Sequence, residues 1–234
     1  MQTLLQIVQD ACDEIGLQRP TAVVSSNDQQ VIQLLSFANA LGRDLVRMHP
    51  WQMLDKQFAF TTIDGVDTYD LPDGYSKLTN QTQWDRTNHW PLLGPKSAQE
   101  WAFLKGGIIS TGPRIRFRII NNQMTLFPIP SSALDFNLEY VSKNWVDLAA
   151  GGTSDKFQSD QDTNVFDDQL MIYGIKYKWL SAKGFDVSSA KADYALRLND
   201  CMAQDEGAPT LSMSRRQTAQ LINTWSIPES GYGS

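Results

Sequence analysis

Apolar positions set the outline of this chain. Leu4, Leu5, Val8, Cys12 and Ile15 recur at helical spacing, Thr3 and Gln6 form a capping-box pattern ahead of them, and Gly16 supplies a stop. After Pro20, Ser26 with Gln29 repeats the capping pattern before Val31, Leu34, Leu35, Ala38, Leu41, Leu45 and Met48. Pro50 blocks continuation, so the spacing predicts a second helix over residues 27–49. From Lys56 the period shortens to two. Phe58 and Phe60, the Asp64-Gly65 turn, and Tyr69 with Leu71 predict a β-hairpin.

Ser97 with Glu100 caps a short helix that carries Trp101 and Leu104 and ends at Gly106-Gly107. Strands then return: Ile115, Phe117 and Ile119 alternate with arginines, Asn121-Asn122 turns the chain into residues 124–127, and Phe136, Leu138 and Tyr140 mark another strand. A polar loop from Gly151-Gly152 to Asn164 precedes two more helices. One carries Leu170, Tyr173, Gly174, Tyr177 and Leu180 and stops at Gly184; the other carries Ala190, Tyr194, Leu198, Cys201 and Met202. Their short connection predicts an antiparallel pair.

These elements imply an α+β fold. A four-helix-bundle-like domain, residues 1–55 and 148–205, is interrupted by an antiparallel β-sheet or sandwich domain, residues 56–147. An extended C-terminal arm, residues 206–234, completes the chain. That arm is rich in Gly, Pro, Ser and Thr yet holds Leu221, Ile222 and Trp225, more apolar bulk than a free tail usually exposes.

Charge changes the picture. Twenty Lys and Arg against 26 Asp and Glu give a net charge of −6, which argues against a surface that grips nucleic acid throughout. Ten Phe, seven Trp and seven Tyr are many for a monomer's surface and suit subunit contacts. Cys12 and Cys201 fall on helical stripes and read as small apolar residues rather than a disulfide. No secretory leader or membrane span is expected, and the chain reads as made and used in cytosol.

Reactive chemistry is sparse. His49 stands at a helix end and His89 in a loop, neither with a recognisable partner in the sequence, and no Cys/His cluster suggests zinc. No nucleophile elbow or phosphate loop is present. The acidic run Asp160, Asp162, Asn164, Asp167 and Asp168 is faintly similar to a calcium loop, but Val165 replaces the required Gly and Met171 the bidentate Glu. Asp167 and Asp168 fit better at a helix start. No catalytic residue, metal site or cofactor is expected.

One charge pattern has geometric content. Arg114, Arg116 and Arg118 alternate along a strand and so share a face, which is a solvated surface, an inter-subunit strip or a patch toward phosphate. In the arm, Arg215 and Arg216 stand near Leu221, Ile222 and Trp225, which fit as anchors for a partner's groove.

The order of these pieces resembles the head-to-tail adaptor, or connector, proteins of short-tailed double-stranded DNA phages, related to tail tubular and head-completion proteins. The likeness rests on Thr3-Leu4-Leu5, Gly16-Leu17, Leu34-Leu35, His49-Pro50-Trp51 and Tyr69-Asp70-Leu71-Pro72-Asp73-Gly74-Tyr75. It continues through Leu126-Phe127-Pro128-Ile129-Pro130, Leu138-Glu139-Tyr140-Val141-Ser142 and the helix pair at residues 166–205. The resemblance implies a non-enzymatic virion protein at the head–tail junction. It also implies a twelve-membered ring, a helical wall around a DNA channel, C-terminal arms on the portal protein, a downstream tail nozzle or tube protein, and non-specific contact with the genome. Two other classes fit the aromatics: a receptor- or carbohydrate-binding tail module stacking Trp84, Trp90 and Trp101 on sugars, and a cell-wall hydrolase.

Overall fold

The computed structural model describes residues 1–107 and 114–206, and the fold is α+β. The arm residues Arg215, Arg216, Leu221, Ile222 and Trp225 lie outside the described residues. Helix α1 (Leu4–Ile15) opens with the predicted capping box, Gln6 N–H donating to Thr3 Oγ1 while the Gln6 side chain accepts from the Thr3 N–H. It closes on Gly16 at φ 80°, a left-handed position that favours glycine. Helix α2 (Gln29–Met48) starts two residues later than the Ser26 pattern predicts. Asp28 is its cap, accepting from Gln30 N–H at 2.9 Å, while the Ser26 hydroxyl accepts from Asp28 N–H and thus turns the chain ahead of the helix. An Asp one position before the helix outcompetes a Ser three before it because only the former reaches the first-turn donors.

A short 3-10 turn (Gln52–Leu54) leads into β1 (Asp55–Thr61). Then follow β2 (Thr68–Asp70), β3 (Tyr75–Leu78), β4 (Trp84–Asp85), β5 (Trp90–Pro91), α3 (Ala98–Gly106), β6 (Arg116–Ile120), β7 (Gln123–Phe127) and β8 (Asp135–Ser142). Residues 143–166, of which 151–164 read as a polar loop, carry three two-residue strands, β9 (Val146–Asp147), β10 (Thr153–Ser154) and β11 (Thr163–Asn164), in the order β10-β9-β11. Helices α4 (Asp168–Lys183) and α5 (Ser188–Glu206) complete the described chain.

The predicted hairpin between the Phe58 and Tyr69 segments does not form. β1 pairs antiparallel with β8 from Asp55↔Val141 to Thr61↔Asp135, while β2 pairs with β7 in another sheet. Asp64 and Gly65 do form a turn, but it carries the chain from one sheet to the next. An alternating pattern specifies a buried face and not the neighbour along the hydrogen bonds, so the distant β8 took the place of the nearer strand. β6 and β7 make the hairpin the sequence predicts, Asn121 and Asn122 both adopting positive φ (51° and 60°) as a two-residue turn needs.

Two apolar clusters result. One joins α1, α2 and α4 with Trp51, Trp145, Val146, Phe157 and Phe166. The other, between the β1-β8-β4-β5 sheet and the β2-β7-β6 sheet, is built on Phe117, Met124, Leu126, Phe136, Leu138 and Tyr140. Helix α4 packs against α1, α2 and α5, and its Gly174 lets Leu41 of α2 approach the backbone closely. Cys12 is buried and Cys201 packs at the same cluster, both as free thiols, and burial pushes both thiols above their ordinary range.

Asp167 illustrates how the carboxylates are used. It caps α4 by accepting from Leu170 N–H at 2.9 Å and holds Arg197 of α5 through two bonds of 2.8 and 2.7 Å. The Arg197 guanidinium keeps its carboxyl below the usual range. Because the folded value is depressed, this contribution is present above the unfolded value of about 3.9 and lost as pH falls through the folded one. Asn caps as well as Asp, so Asp167→Asn should cost under about 1 kcal/mol at pH 7, a partly exposed pair's worth. The gap from the parent in urea unfolding should close below about pH 4; a gap independent of pH would contradict the ion-pair account.

Candidate functional site

Among the described residues, three carboxylates are engaged in holding the chain's own backbone. Asp160 accepts from Val23 and Val24 N–H, Asp162 from Ala149, Gln158 and Ser159 N–H, and Asp85 from Thr87 and Asn88 N–H. The run from Asp160 to Asp168 therefore ties loops and caps a helix, and no group of three His, Cys, Asp or Glu side chains among the described residues is placed to hold a metal ion. His49, which has no recognisable partner in the sequence, is corrected by the structure. Its Nε2 lies 3.5 Å from Asp205 Oδ2 and its ring meets Trp51 edge-on at 5.0 Å. Asp205 Oδ2 also accepts from Gln52 N–H at 2.9 Å. This partner is far away in sequence, and no local pattern announces it. The contact holds the end of α5 beside the end of α2 and the 3-10 turn that follows it.

The unspent chemistry lies at β6 and α3. Backbone bonds from Leu93 N–H to Ile115 O (3.0 Å), from Phe117 N–H to Leu93 O (3.1 Å) and from Lys96 N–H to Phe117 O (2.9 Å) dock the lead-in of α3 on β6. Helix α3 then starts with the predicted capping box, Ser97 with Glu100, and turns Trp101 edge-on to Phe127 of β7 at 6.2 Å. Phe117 is fully buried, so Arg116 and Arg118 share the opposite face of β6. Arg114 precedes the strand and its guanidinium lies 5.2 Å from the centre of the Trp90 ring. The alternation thus groups two of the three arginines on the strand face, and the third caps a tryptophan beside them.

Sequence reasoning missed the rest of this surface. Lys96, just ahead of α3, and Lys105, in its last turn, flank it, Lys105 lying 5.8 Å from the Trp101 ring centre. Phe103, 78% exposed, stands above a groove of about 330 Å3 lined by Lys96, Gln99, Glu100, Phe103, Leu104 and Arg116. The only sequence signal was a short helix with lysines near both ends and an aromatic residue off its buried face. As a sugar platform the three tryptophans fail, because Trp101 is 6% exposed and its ring is taken up against Phe127.

The carboxylates named above serve the chain's own loops, and the surface at β6 and α3 joins cations to exposed apolar groups, as a surface for a partner does. The sequence matches the SU10 adaptor protein family over residues 2–221, and the chain belongs to that family. It is a phage adaptor-type protein; the family is structural and implies contact with portal and tail proteins at the head–tail junction of the virion. None of the curated proteins matches the sequence. No described helix is long and apolar enough to cross a membrane.

Proposed function

We propose that the chain is a head-to-tail adaptor subunit that joins twelve copies in a ring between the portal and the tail nozzle or tube, with its helical part as the wall of the DNA channel. The observation that carries this reading is the family match over nearly the whole chain. The helical ring-forming domain comprises residues 1–55 and 148–205, the β domain residues 56–147, and residues 206–234 form the arm that docks on the portal through Arg215, Arg216, Leu221, Ile222 and Trp225.

The electrostatics favour this arrangement. A net charge of −6 suits a channel through which the genome slides without adhering, since each phosphate neutralised by a cation adds affinity that must be broken again. A row of arginines in the lumen would oppose that movement, so Arg114, Arg116 and Arg118 belong between subunits.

Electron microscopy of the purified full chain mixed with portal-bearing heads tests the reading directly. A ring at the genome-exit vertex is expected, and an isolated spike elsewhere on the particle overturns it. Deleting residues 206–234 should reduce attachment by more than about a hundredfold, the loss expected when a Trp-centred anchor cluster is removed. Attachment equal to the parent's would reject the arm assignment while leaving the ring untouched.

A further inference from the structure

The three-stranded sheet has two unlike edges, with β7 between β2 and β6. On its outer face the register sets Asp70, Gln123 and Ile120 in one row and Thr68, Thr125 and Arg118 in the next, with Arg116 opposite Phe127 beyond. Acidic groups thus collect at the β2 edge, where Asp64, Asp67, Asp70 and Asp73 follow one another at three-residue intervals. Basic groups collect at the β6 edge. No ion pair among the described residues links the two sides.

The turn that precedes β2 is a preformed knob. The Tyr69 hydroxyl accepts from Ile63 N–H at 2.9 Å and lies 3.0 Å from Val66 O, while Gly65 N–H donates to Pro130 O at 3.0 Å. With its backbone tied down in this way, the turn nevertheless holds Ile63 63% and Val66 37% exposed, with Asp64 between them. Such a segment loses little further freedom on binding. The opposite edge offers its counterpart, a groove lined by Phe103 and Leu104 with Arg116 and Lys96, the latter paired with Glu100 at 3.4 Å, beside them.

We propose that the groove between α3 and β6 of one copy receives the 63–67 turn of the next copy. Ile63 and Val66 enter beside Phe103 and Leu104, and Asp64 and Asp67 meet Arg116, Arg118 and Lys96. This inference rests on the ring reading above and names the surface the arginines meet. The knob and the hole sit on opposite edges of one sheet, so the contact is heterologous and repeats from copy to copy, as a closed ring requires. Leu93 already bonds to the outer backbone of β6, so side chains and not an added strand make the contact.

Other occupants fit less well. Duplex nucleic acid keeps its base faces stacked inside and presents phosphates outward, so it offers little to fill the apolar side of the groove at Phe103 and Leu104. Residues 207–234 contain Arg215, Arg216 and the single acid Glu229, so that segment carries the same sign as the rim.

The test uses the full chain with Cys201→Ser in every sample. A Val66→Cys/Phe103→Cys double variant under mild oxidation should give a covalent ladder extending past dimer on non-reducing gels, while each single variant stays monomeric. Arg116→Glu should weaken assembly by about tenfold, as reversal of a rim charge does, and Asp64→Arg added to it should restore most of the loss. Circular dichroism confirms that each variant is folded.

No cross-linking above the single variants, with parent rings intact in micrographs, overturns this contact and leaves the ring reading standing. A ladder that stops at dimer overturns its head-to-tail geometry. Intact rings with Arg116→Glu but failed attachment to heads assign the groove to a different protein. Absence of any ring from the parent chain, alone or on portal-bearing heads, sinks the ring reading and this contact together.

Discussion

Gly42→Ala should destabilise the protein by about 2 kcal/mol, although Ala is the better helix former by roughly 1 kcal/mol. The reason is one neighbour. A Cβ at position 42 of α2 would fall within the indole ring of Trp145. That ring cannot retreat: Trp145 is fully buried, stacks on Phe166 at 6.1 Å, meets Phe157 edge-on at 5.0 Å, and its Nε1–H donates to Asp155 O at 2.9 Å. Overpacking costs typically about 1–3 kcal/mol and more where neighbours are fixed, so it outweighs the propensity gain. Gly106→Ala is the matched control, because that glycine lies at the end of α3 with open space around its Cβ direction. There the same substitution should be neutral or stabilise by up to about 1 kcal/mol. Urea unfolding reads both, and a Gly42→Ala midpoint at or above the parent's would show that α2 and the 145–157 segment are not locked together as described.

That contact matters for assembly because Trp145 stands three residues past the end of β8 and belongs to the helical cluster. A loosened α2 would let the β sheets move against the helices. The knob and groove lie on the sheets, whereas the helices are proposed as the ring wall, so both must be held in one geometry for a ring to close.

How much of this the sequence announces depends on how local each cause is. The capping boxes of α1 and α3, the left-handed stops at Gly16 and Gly184, and the Asn121-Asn122 turn are set by residues within one turn of each other, and all are legible. The partnership of β1 with β8 is not, since Phe58 and Phe60 declare a buried face without naming the strand beside them. Strands β9, β10 and β11 are two residues long, too short for any period to show. In the surface at β6, Arg116 and Arg118 are legible because alternation alone places them. Phe103, Lys96 and Lys105 are not, because only the docking of α3 on β6 brings them there. The acidic turn at residues 63–67 reads simply as a turn, and its meaning depends on what stands at the other edge of the sheet.

Asp162→Ala should produce a comparable or larger loss, on the order of 3 kcal/mol, from a residue that sequence reading places in a faint calcium-loop pattern. Asp162 is 1% exposed. Its Oδ1 accepts from Ala149 N–H at 3.0 Å and its Oδ2 from Gln158 and Ser159 N–H, both at 2.7 Å, so one carboxylate closes the 149–162 loop on itself. Each donor left without a partner costs about 1–3 kcal/mol when buried, and Ala149, Gln158 and Ser159 are exposed enough for water to recover part of that. The same loop receives α1: Leu4 N–H donates to Asp162 O at 2.8 Å and Leu5 N–H to Asp160 O at 3.2 Å. For a chain of this size the loss corresponds to a fall in melting temperature of roughly 6–12 °C. Asp162→Asn should recover only part of it, because the amide nitrogen is itself a donor and would face an N–H where the carboxylate oxygen accepted one. Hydrogen exchange at Leu4 and Leu5 should quicken in the Ala variant more than at Leu34 in the middle of α2. If exchange rises uniformly, or the melting temperature stays within about 2 °C of the parent's, the loop does not depend on this carboxylate and α1 is held by its apolar face alone.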